Sequence, residues 1–358
     1  MKIINMLPIL SFGDAVGNDA LALHHSLQKA GYACELRAAY IAPKIAQTET
    51  VRTTEDLSDI KPDDIVIYHL STGHELNLLF AKLNCKKIIR YHNITPPHFF
   101  CGYHPILLEN CLDAYNQTRM MAKCADFCLA DSAYNREELI RMGYQCNIEV
   151  MPILIPFSDY EQEPDAQVIE QMHDGMTNIL FTGRISPNKR QEDVIAAFSV
   201  YQKQYNPNSR LILVGNYDGM ENYYERLQAY VKETGAKNVL FPGHISFPAI
   251  LAYYHSADLF LCMSDHEGFC VPLVESMFFD IPIVAKNTTA IPYTLGGSGF
   301  LLEDENPVIA AALMNRILTD EDLKNKIIVG QRERLRDFAH EKIERQLLSL
   351  IEEFIKYI

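Results

Sequence analysis

The sequence SDHEGFCVPLVES, residues 264–276, lies between two apolar runs and contains two glutamates, Glu267 and Glu275. The run that precedes it, DLFLCMS, has the length of a buried strand, and the run VPLVESMFFD that ends it is typical of a helix. Pro272 occupies a position that is favoured in the first turn of a helix. The stretch therefore predicts a strand, a loop that carries Glu267, and a helix with Glu275 in its first turn.

The same alternation of strand and helix runs through the rest of the chain. Short apolar runs such as KIINMLPIL, KKIIRYHNI, NILFTGR and SRLILVGN alternate with amphipathic segments. This pattern predicts the α/β class, with parallel sheets covered by helices on both faces. An acidic segment, residues 159–176, interrupts the pattern and is interpreted as a linker with one short helix. We therefore expect two Rossmann-like, doubly wound domains over residues 1–158 and 175–338.

The composition excludes several classes of protein. A chain of 358 residues fits two domains of ordinary size better than a single core. Its formal net charge of -14 argues against extended nucleic-acid binding, which needs a basic surface, although a local phosphate pocket is compatible with it. The sequence lacks both a signal-peptide pattern and a run of roughly 20 apolar residues. We expect a cytoplasmic protein with at most peripheral membrane contact. Lys86, Lys87 and Arg90 could provide such a contact, although three charges beside a strand are more often plain surface.

The cysteines and acidic pairs do not predict a metal site. The 9 cysteines form no CxxC pair and are odd in number, which favours reduced thiols over a disulfide framework. Cys124 and Cys128 lie one helical turn apart, but no second ligand pair accompanies them, so we do not expect zinc there. The Asp-x-Asp match from Asp320 to Asp322 lies at the start of a predicted helix, where acids are expected as caps.

Two segments of the first half follow predicted strands and carry flexible or polar residues. FGDAVGND contains Gly13 and Gly17, and we expect Asn18 or Asp19 to cap the next helix. Amides at a helix start attract anions, although a glycine turn that only connects strand and helix is an equal alternative. RYHNITPPHFF places His92 at the end of a strand, where ligand clefts lie, although a lone histidine is more often structural.

A group of cations follows the predicted strand NILFTGR. Gly183 ends this strand, Arg184 follows directly, and Lys189 and Arg190 precede the next helix. A guanidinium makes a forked contact with phosphate, an ammonium acts as a point charge, and a helix start adds partial positive charge. The combination fits a diphosphate better than the alternative, a solvated charge cluster.

The two glutamates are spaced to bind hydroxyl groups on either side of such a diphosphate. A carboxylate can accept two hydrogen bonds from a vicinal diol, as in ribose or a hexose. The backbone amides of Phe269, Cys270 and Val271, at the predicted helix start, are expected to face phosphate. A retaining glycosidase, with carboxylates about 5–5.5 Å apart, would leave the cations without a role.

These motifs resemble those of retaining glycosyltransferases with the GT-B fold, in glycosyltransferase family 4, also called group 1. The resemblance rests on the E-x7-E element, on GRISPNK, on YHNITPP and on CLADSAYN, and it is stronger in the second half. It implies two domains that face each other across a cleft, with the acceptor side in the first domain and the donor side in the second. It also implies that the last helix, residues 339–358, packs back on the first domain.

The resemblance assigns catalytic roles to four residues. Arg184 and Lys189 would neutralise the diphosphate of the donor as it leaves. Glu267 would hold the hydroxyls of the donor sugar, and His92 would approach that sugar. The acceptor would attack from the same face as the leaving phosphate, which would take its proton.

The resemblance also implies a wider donor-binding set. Glu275 would bind the ribose hydroxyls, and the backbone around His244 and Ile245 would lie near the base. The donor-binding residues expected from motif and resemblance together are Gly13, Gly17, Gly183, Arg184, Lys189, His244, Ile245, Glu267, Phe269, Cys270, Val271 and Glu275.

The implied reaction is metal-independent transfer of a mannose, glucose or N-acetylglucosamine from a GDP- or UDP-sugar to a glycan, lipid-linked or small acceptor. The YHNITPP loop slightly favours GDP-mannose. Two other functions stay open at this point. A sugar-nucleotide 2-epimerase shares the two-lobed fold, but the E-x7-E spacing argues against it. A non-enzymatic two-lobed sugar-binding protein is opposed by the free cysteines and by the start of the sequence.

Overall fold

The computed structural model describes residues 1–11 and 13–357; Phe12, the first residue of the FGDAVGND motif, and Ile358, the last of the predicted C-terminal helix, lie outside the described residues. The chain divides into two compact units. The first comprises Met1–His98, Ile106–Phe157 and the chain from Phe338 onward, and the second comprises Phe99–Pro105 and Ser158–Asp337.

Each unit contains one parallel sheet. The first unit has a 7-stranded sheet in the order β3-β2-β1-β4-β5-β6-β7, and the second has a 6-stranded sheet in the order β10-β9-β8-β11-β12-β13. The strands are β1 Ile3–Leu10, β2 Cys34–Ile41, β3 Val51–Thr53, β4 Ile65–Leu70, β5 Lys86–Tyr91, β6 Phe127–Ala130, β7 Asn147–Val150, β8 Thr177–Thr182, β9 Ser209–Val214, β10 Val239–Gly243, β11 Leu259–Cys262, β12 Ile283–Lys286 and β13 Phe300–Leu302.

Helices connect the strands, as parallel pairing requires. They are α1 Ala15–Lys29, α2 Ile45–Thr48, α3 Glu75–Lys82, α4 Pro105–Met121, α5 Ala133–Arg141, α6 Ala166–Met172, α7 Gln191–Gln204, α8 Glu221–Thr234, α9 Phe247–His255, α10 Val271–Phe278, α11 Ile291–Leu295, α12 Pro307–Thr319, α13 Glu321–Leu335 and α14 His340–Tyr357. The predicted fold class, two doubly wound parallel-sheet domains, is confirmed.

The last helix packs on the first unit. Ile343, Leu347 and Ile351 recur every four residues on one face of α14, and all three are buried. They share a core cluster with Leu23 and Leu27 of α1. Because residues four apart lie on the same side of a helix, this spacing alone accounts for the buried stripe.

The observed boundaries differ from the predicted ones in two places. The segment Phe99–Pro105, which we expected in the first domain, belongs to the second unit. The expected linker 159–176 is also part of the second unit, since it forms α6 and the amide of Asp165 donates to the carbonyl of Pro248 at 2.9 Å. The short elements β3, α2, α11 and β13 were not predicted, because three to five residues carry too little periodicity. The longer helices α3 and α12 were also missed.

The acidic triplet from Asp320 to Asp322 does cap a helix, as predicted. The Asp320 carboxylate accepts a hydrogen bond from the Leu323 amide at 3.0 Å, at the start of α13. Within the described residues, no helix is long and apolar enough to cross a membrane.

The basic residues expected at a membrane are mostly buried. Arg90 is fully buried, and Lys87 is buried with its Nζ donating to the carbonyl of Leu83 at 2.5 Å. Membrane contact and plain surface are therefore both wrong for Lys87 and Arg90, because these two charges belong to the interior of the first unit.

Candidate functional site

The second sheet changes its strand order between β8 and β11. Chain order runs outward from β8 to β10 on one side and from β11 to β13 on the other, and all pairs are parallel. The carboxyl ends of β8 and β11 are therefore neighbours at the point where ligands bind in open α/β sheets. The cation segment GRISPNK follows β8, and the E-x7-E element follows β11.

An ion pair joins the two segments. Lys189 Nζ lies 2.7 Å from Glu267 Oε2, and Glu267 is only 8% exposed. The neighbouring backbone fixes this contact, because the Asp265 amide donates to the carbonyl of Asn188 at 2.9 Å. Burial alone would lower the pKa of Lys189, but the charge of Glu267, with nearby thiols, raises it above its ordinary value. The structure therefore brings together two predicted site residues that lie 78 positions apart.

A close approach of two glycines shapes the turn after β8. Gly183 has φ +146°, and a Cβ on Gly215 would lie 1.9 Å from the carbonyl oxygen of Gly183. Arg184 is exposed, and its Nη2 donates to the carbonyl of Asp218 at 3.0 Å. Gly215 is therefore a site residue that sequence reasoning missed, although the LVGN motif at the end of β9 could have indicated it.

Glu275 is held by two tyrosines that the sequence analysis also missed. Its carboxylate accepts hydrogen bonds from the hydroxyls of Tyr160 at 2.9 Å and Tyr254 at 2.5 Å. The hydroxyl of Tyr254 also lies 2.5 Å from Thr182 Oγ1, at the end of β8. We expected Glu275 in the first turn of the helix. Because α10 begins at Val271, Glu275 lies in its second turn instead. Each carboxylate oxygen keeps one lone pair for a further donor.

Burial raises the pKa of Glu275, and the hydrogen bonds from Tyr254 and Tyr160 oppose this shift only in part. Ionisation of this carboxylate therefore lowers the free energy of unfolding. The loss grows as pH rises from the pKa of Glu275 in the unfolded chain to its higher pKa in the folded protein, and it persists at higher pH. Glu275→Gln should be more stable than the parent at about pH 8, and this gain should vanish at about pH 4. Urea unfolding at both pH values measures it. A loss of stability at the higher pH would contradict this account.

The start of α10 follows a strained residue. Cys270 has φ +71° and precedes the first helical residue, Val271. The first amides of a helix have no intrahelical acceptor and carry partial positive charge. The carbonyl of Phe269 accepts a hydrogen bond from Thr294 Oγ1 at 2.5 Å, which fixes the turn before the helix.

His244 and Ile245 follow β10, at the outer edge of the second sheet. His244 is exposed and Ile245 is half-buried. The rings of Tyr217 and Tyr224 stack beside them at a centroid distance of 4.1 Å, and a Cβ on Gly243 would contact Tyr217 at 3.8 Å. This edge thus presents aromatic and backbone groups next to the predicted base-binding segment.

In the first unit, both ring nitrogens of His92 already have partners. Nδ1 lies 3.0 Å from Asp131 Oδ2, and Nε2 lies 2.9 Å from Nδ1 of His69. Burial lowers the pKa of His69 well below its ordinary value, and the neighbouring His92 adds to this effect. His92 therefore has to give up one of these bonds before its ring can bind a ligand. His69 is a neighbour that sequence reasoning missed.

Among the described residues of the FGDAVGND loop, 13–19, the amide of Gly17 already has an acidic partner. Asp14, not Asn18 or Asp19, caps α1, and its carboxylate accepts from the amide of Gly17 at 2.8 Å. The amide that an anion would need is thus occupied by a negative group. Gly17 lies within the helix, where a Cβ would come within 2.5 Å of the Ser11 carbonyl oxygen, and Gly13, with φ +82°, forms the turn. The structure thus corrects the predicted cap, and at Gly17 it favours the second alternative, a glycine turn that connects strand and helix.

Asp19, one of the expected caps, has a different role. It is fully buried, and its Oδ2 lies 2.9 Å from Nε of Arg90. Its Oδ1 accepts from the amide of Leu154 at 2.8 Å. Burial raises the pKa of Asp19, but the charge and hydrogen bond of Arg90, together with His92 and His69, outweigh this effect and hold the pKa below its ordinary value.

Comparison with known sequences finds similarity mainly in the second half of the chain. Residues 163–334 match the family model described as glycosyl transferases group 1. The chain is 24% identical over 204 residues to D-inositol 3-phosphate glycosyltransferase from Jonesia denitrificans, covering 55% of this chain and 47% of that protein. It is 25% identical over 236 residues to O-antigen chain mannosyltransferase B from Escherichia coli, covering 61% of each. The matched parts thus span about half to three fifths of these relatives.

Solved structures share the fold over the full length. Sucrose-phosphate synthase from Thermosynechococcus elongatus matches with a TM-score of 0.77 at 17% identity, covering 100% of both chains. HepE from Anabaena, solved in complex with UDP and glucose, matches with a TM-score of 0.77 at 18% identity, covering 99% of this chain and 100% of that one. Residues 163–334 of this chain are thus similar to the group 1 glycosyl transferases, and its two Rossmann-like domains form the GT-B fold.

Proposed function

We propose that this chain is a retaining glycosyltransferase that transfers a hexose from a nucleotide diphosphate sugar, without a metal ion, to a glycan, lipid-linked or small acceptor. One observation carries the proposal: the Lys189–Glu267 pair, at 2.7 Å, joins the segments that follow β8 and β11. This is the strand-order switch of the second sheet, the usual ligand position in such folds.

The leaving diphosphate is the group that these residues suit best. Arg184 offers a forked guanidinium, Lys189 offers an ammonium, and the start of α10 offers amides with partial positive charge. Charge develops on the leaving phosphate as the glycosidic bond breaks. Groups already oriented toward that charge lower the barrier without reorganising during the reaction.

Donor binding would exchange one set of ionic partners for another. Lys189 would turn from Glu267 to the diphosphate. The released carboxylate of Glu267 would accept hydrogen bonds from hydroxyl groups of the sugar. After the exchange Lys189 would face the opposite charge of the diphosphate and Glu267 would keep hydrogen-bond donors, so neither partly buried charge would be left without a partner. Glu275, with one lone pair left on each oxygen, would accept the ribose hydroxyls.

Retention follows if the acceptor attacks from the face that the phosphate leaves, with the phosphate as the base. His92 would then act on the sugar only after releasing His69 or Asp131. The relatives support a hexose as the transferred group: one is named a mannosyltransferase, and the HepE structure was solved with UDP and glucose. GDP-mannose is the donor we place first, followed by UDP-hexoses.

The decisive experiment is donor hydrolysis over a panel of GDP- and UDP-sugars, paired with calorimetric titration of nucleotides and of free sugars. We expect one nucleotide sugar to be hydrolysed slowly without acceptor, and nucleoside diphosphate to bind more tightly than free sugar. Activity should persist in a chelator. Binding of free sugar without nucleotide binding would instead indicate a sugar-binding protein, and full loss of activity in chelator, restored by manganese, would refute metal independence.

Arg184→Ala should lower turnover by on the order of 10²-fold, because it removes one donor to the leaving group. Its thermal stability should change little, since the side chain is exposed. Arg316→Ala, which also removes an exposed arginine from the second unit, is the matched control and should keep full turnover. Equal turnover in the two variants would remove Arg184 from the mechanism.

A further inference from the structure

Two thiols and a carboxylate converge beside the proposed donor site. Cys262 ends β11, Cys270 precedes α10, and Glu267 lies in the loop between them; all three are buried. One ligand atom from each lies within 4.8 Å of the other two. The Cys262 thiol donates a hydrogen bond to Ser264 Oγ at 3.4 Å. The two cysteines are eight positions apart in sequence, so they do not form a CxxC pattern.

This set of ligands has the chemistry of a zinc site. Thiolates select soft or borderline ions such as Zn²⁺ over Mg²⁺ or Mn²⁺, and a carboxylate completes many zinc sites. Zinc–sulfur bonds of about 2.3 Å place tetrahedral ligand atoms roughly 4 Å apart. Side-chain movements below about 1 Å would therefore bring these three ligand atoms to bonding distance from one zinc ion. Three protein ligands leave a fourth position for water.

The charges also balance. Two thiolates and one carboxylate carry three negative charges, so bound Zn²⁺ leaves one, and the ammonium of Lys189, now 2.7 Å from Glu267, compensates it. Binding releases the two thiol protons to solvent and changes no oxidation state. The metal would therefore bind Glu267 in place of Lys189.

We infer that Cys262, Glu267 and Cys270 form an inhibitory binding site for Zn²⁺, and that zinc and the nucleotide-sugar donor exclude each other. The metal site itself is independent of the proposed function, whereas the exclusion rests on it, because it requires Glu267 and Lys189 to serve the donor. The site differs in kind from a catalytic metal centre, since its occupation removes two donor-binding side chains.

Cobalt titration of the reduced full chain tests the site directly, in a phosphine reductant that keeps thiols free. We expect a thiolate-to-cobalt charge-transfer absorption that Zn²⁺ abolishes by displacement. Cys262→Ser should lose most of this absorption, with Cys262→Ala as a second variant should the first fold poorly. Cys128→Ser is the matched control, because Cys128 and Cys146 form another close thiol pair, with sulfurs 3.6 Å apart. The three-residue cluster of Asp19, His69 and His92 contains no thiol and gives no such absorption.

Loss of the absorption in Cys128→Ser but not in Cys262→Ser, or its absence from the parent, would overturn the inference. Nucleotide titration then tests the exclusion: zinc should weaken GDP or UDP binding by on the order of tenfold in the parent and not in Cys262→Ser. Equal nucleotide affinity with and without zinc would overturn the exclusion. If neither nucleotide binds even without zinc, the proposed function fails, while the cobalt result still decides the metal site.

Discussion

Replacing Lys189 by alanine should lower the turnover of the donor by about 10²–10³-fold, more than the loss of Arg184. Two effects add. The leaving diphosphate loses a positive charge, and Glu267, which is 8% exposed, loses the partner at 2.7 Å that compensates its own charge. Steady-state hydrolysis and transfer rates measure the first effect, and urea unfolding measures the second.

Two further variants separate catalysis from structure. Lys189→Ala combined with Glu267→Gln removes the uncompensated charge, so it should recover stability while turnover stays low. Lys286→Ala is the matched control, since Lys286 Nζ lies 2.7 Å from Asp265 in the same loop but has no proposed role toward the donor. Comparable losses of turnover in Lys286→Ala and Lys189→Ala would show that turnover depends on the structure of the loop and not on the ammonium of Lys189.

Gly215→Ala should destabilise the protein by about 3 kcal/mol and impair donor binding as well. A Cβ at this position would lie 1.9 Å from the oxygen and 2.8 Å from the carbon of the Gly183 carbonyl. Both atoms belong to the backbone, so no side-chain rotation relieves the overlap. The turn that carries Arg184 therefore has to move, and nucleotide affinity should fall together with the free energy of unfolding.

Gly330→Ala is the matched control. It is also a glycine-to-alanine substitution, but we expect it to stabilise the protein. Gly330 lies within α13, and the nearest atom that an added Cβ would meet is Ser298 Cβ at 4.0 Å, an ordinary contact. Alanine lowers the entropy of the unfolded chain and should stabilise by about 0.5–1 kcal/mol. If Gly215→Ala unfolds at the same urea concentration as the parent, the close approach of β8 and β9 does not exist in solution.

Local patterns predicted the elements because their causes are local. The apolar runs at β4 and β5 are buried on both faces, as a parallel sheet between helices requires, and their composition alone identified them. The stripe of Ile343, Leu347 and Ile351 on α14 likewise needed only the period of a helix. The motifs around Lys189 and Glu267 indicated chemistry because their residue types and their places after strands were visible in the sequence.

The sequence by itself determined the two α/β units, their order and the segments that carry the candidate site. Only the tertiary structure decided which side chains meet: Lys189 with Glu267, Glu275 with Tyr160 and Tyr254, and His92 with His69. Strand and helix periods act over a few residues, whereas these contacts depend on the strand order of a sheet, which brings together residues that are tens of positions apart. For the same reason, the cap of α1 and the partner of Asp19 could not be predicted from spacing alone.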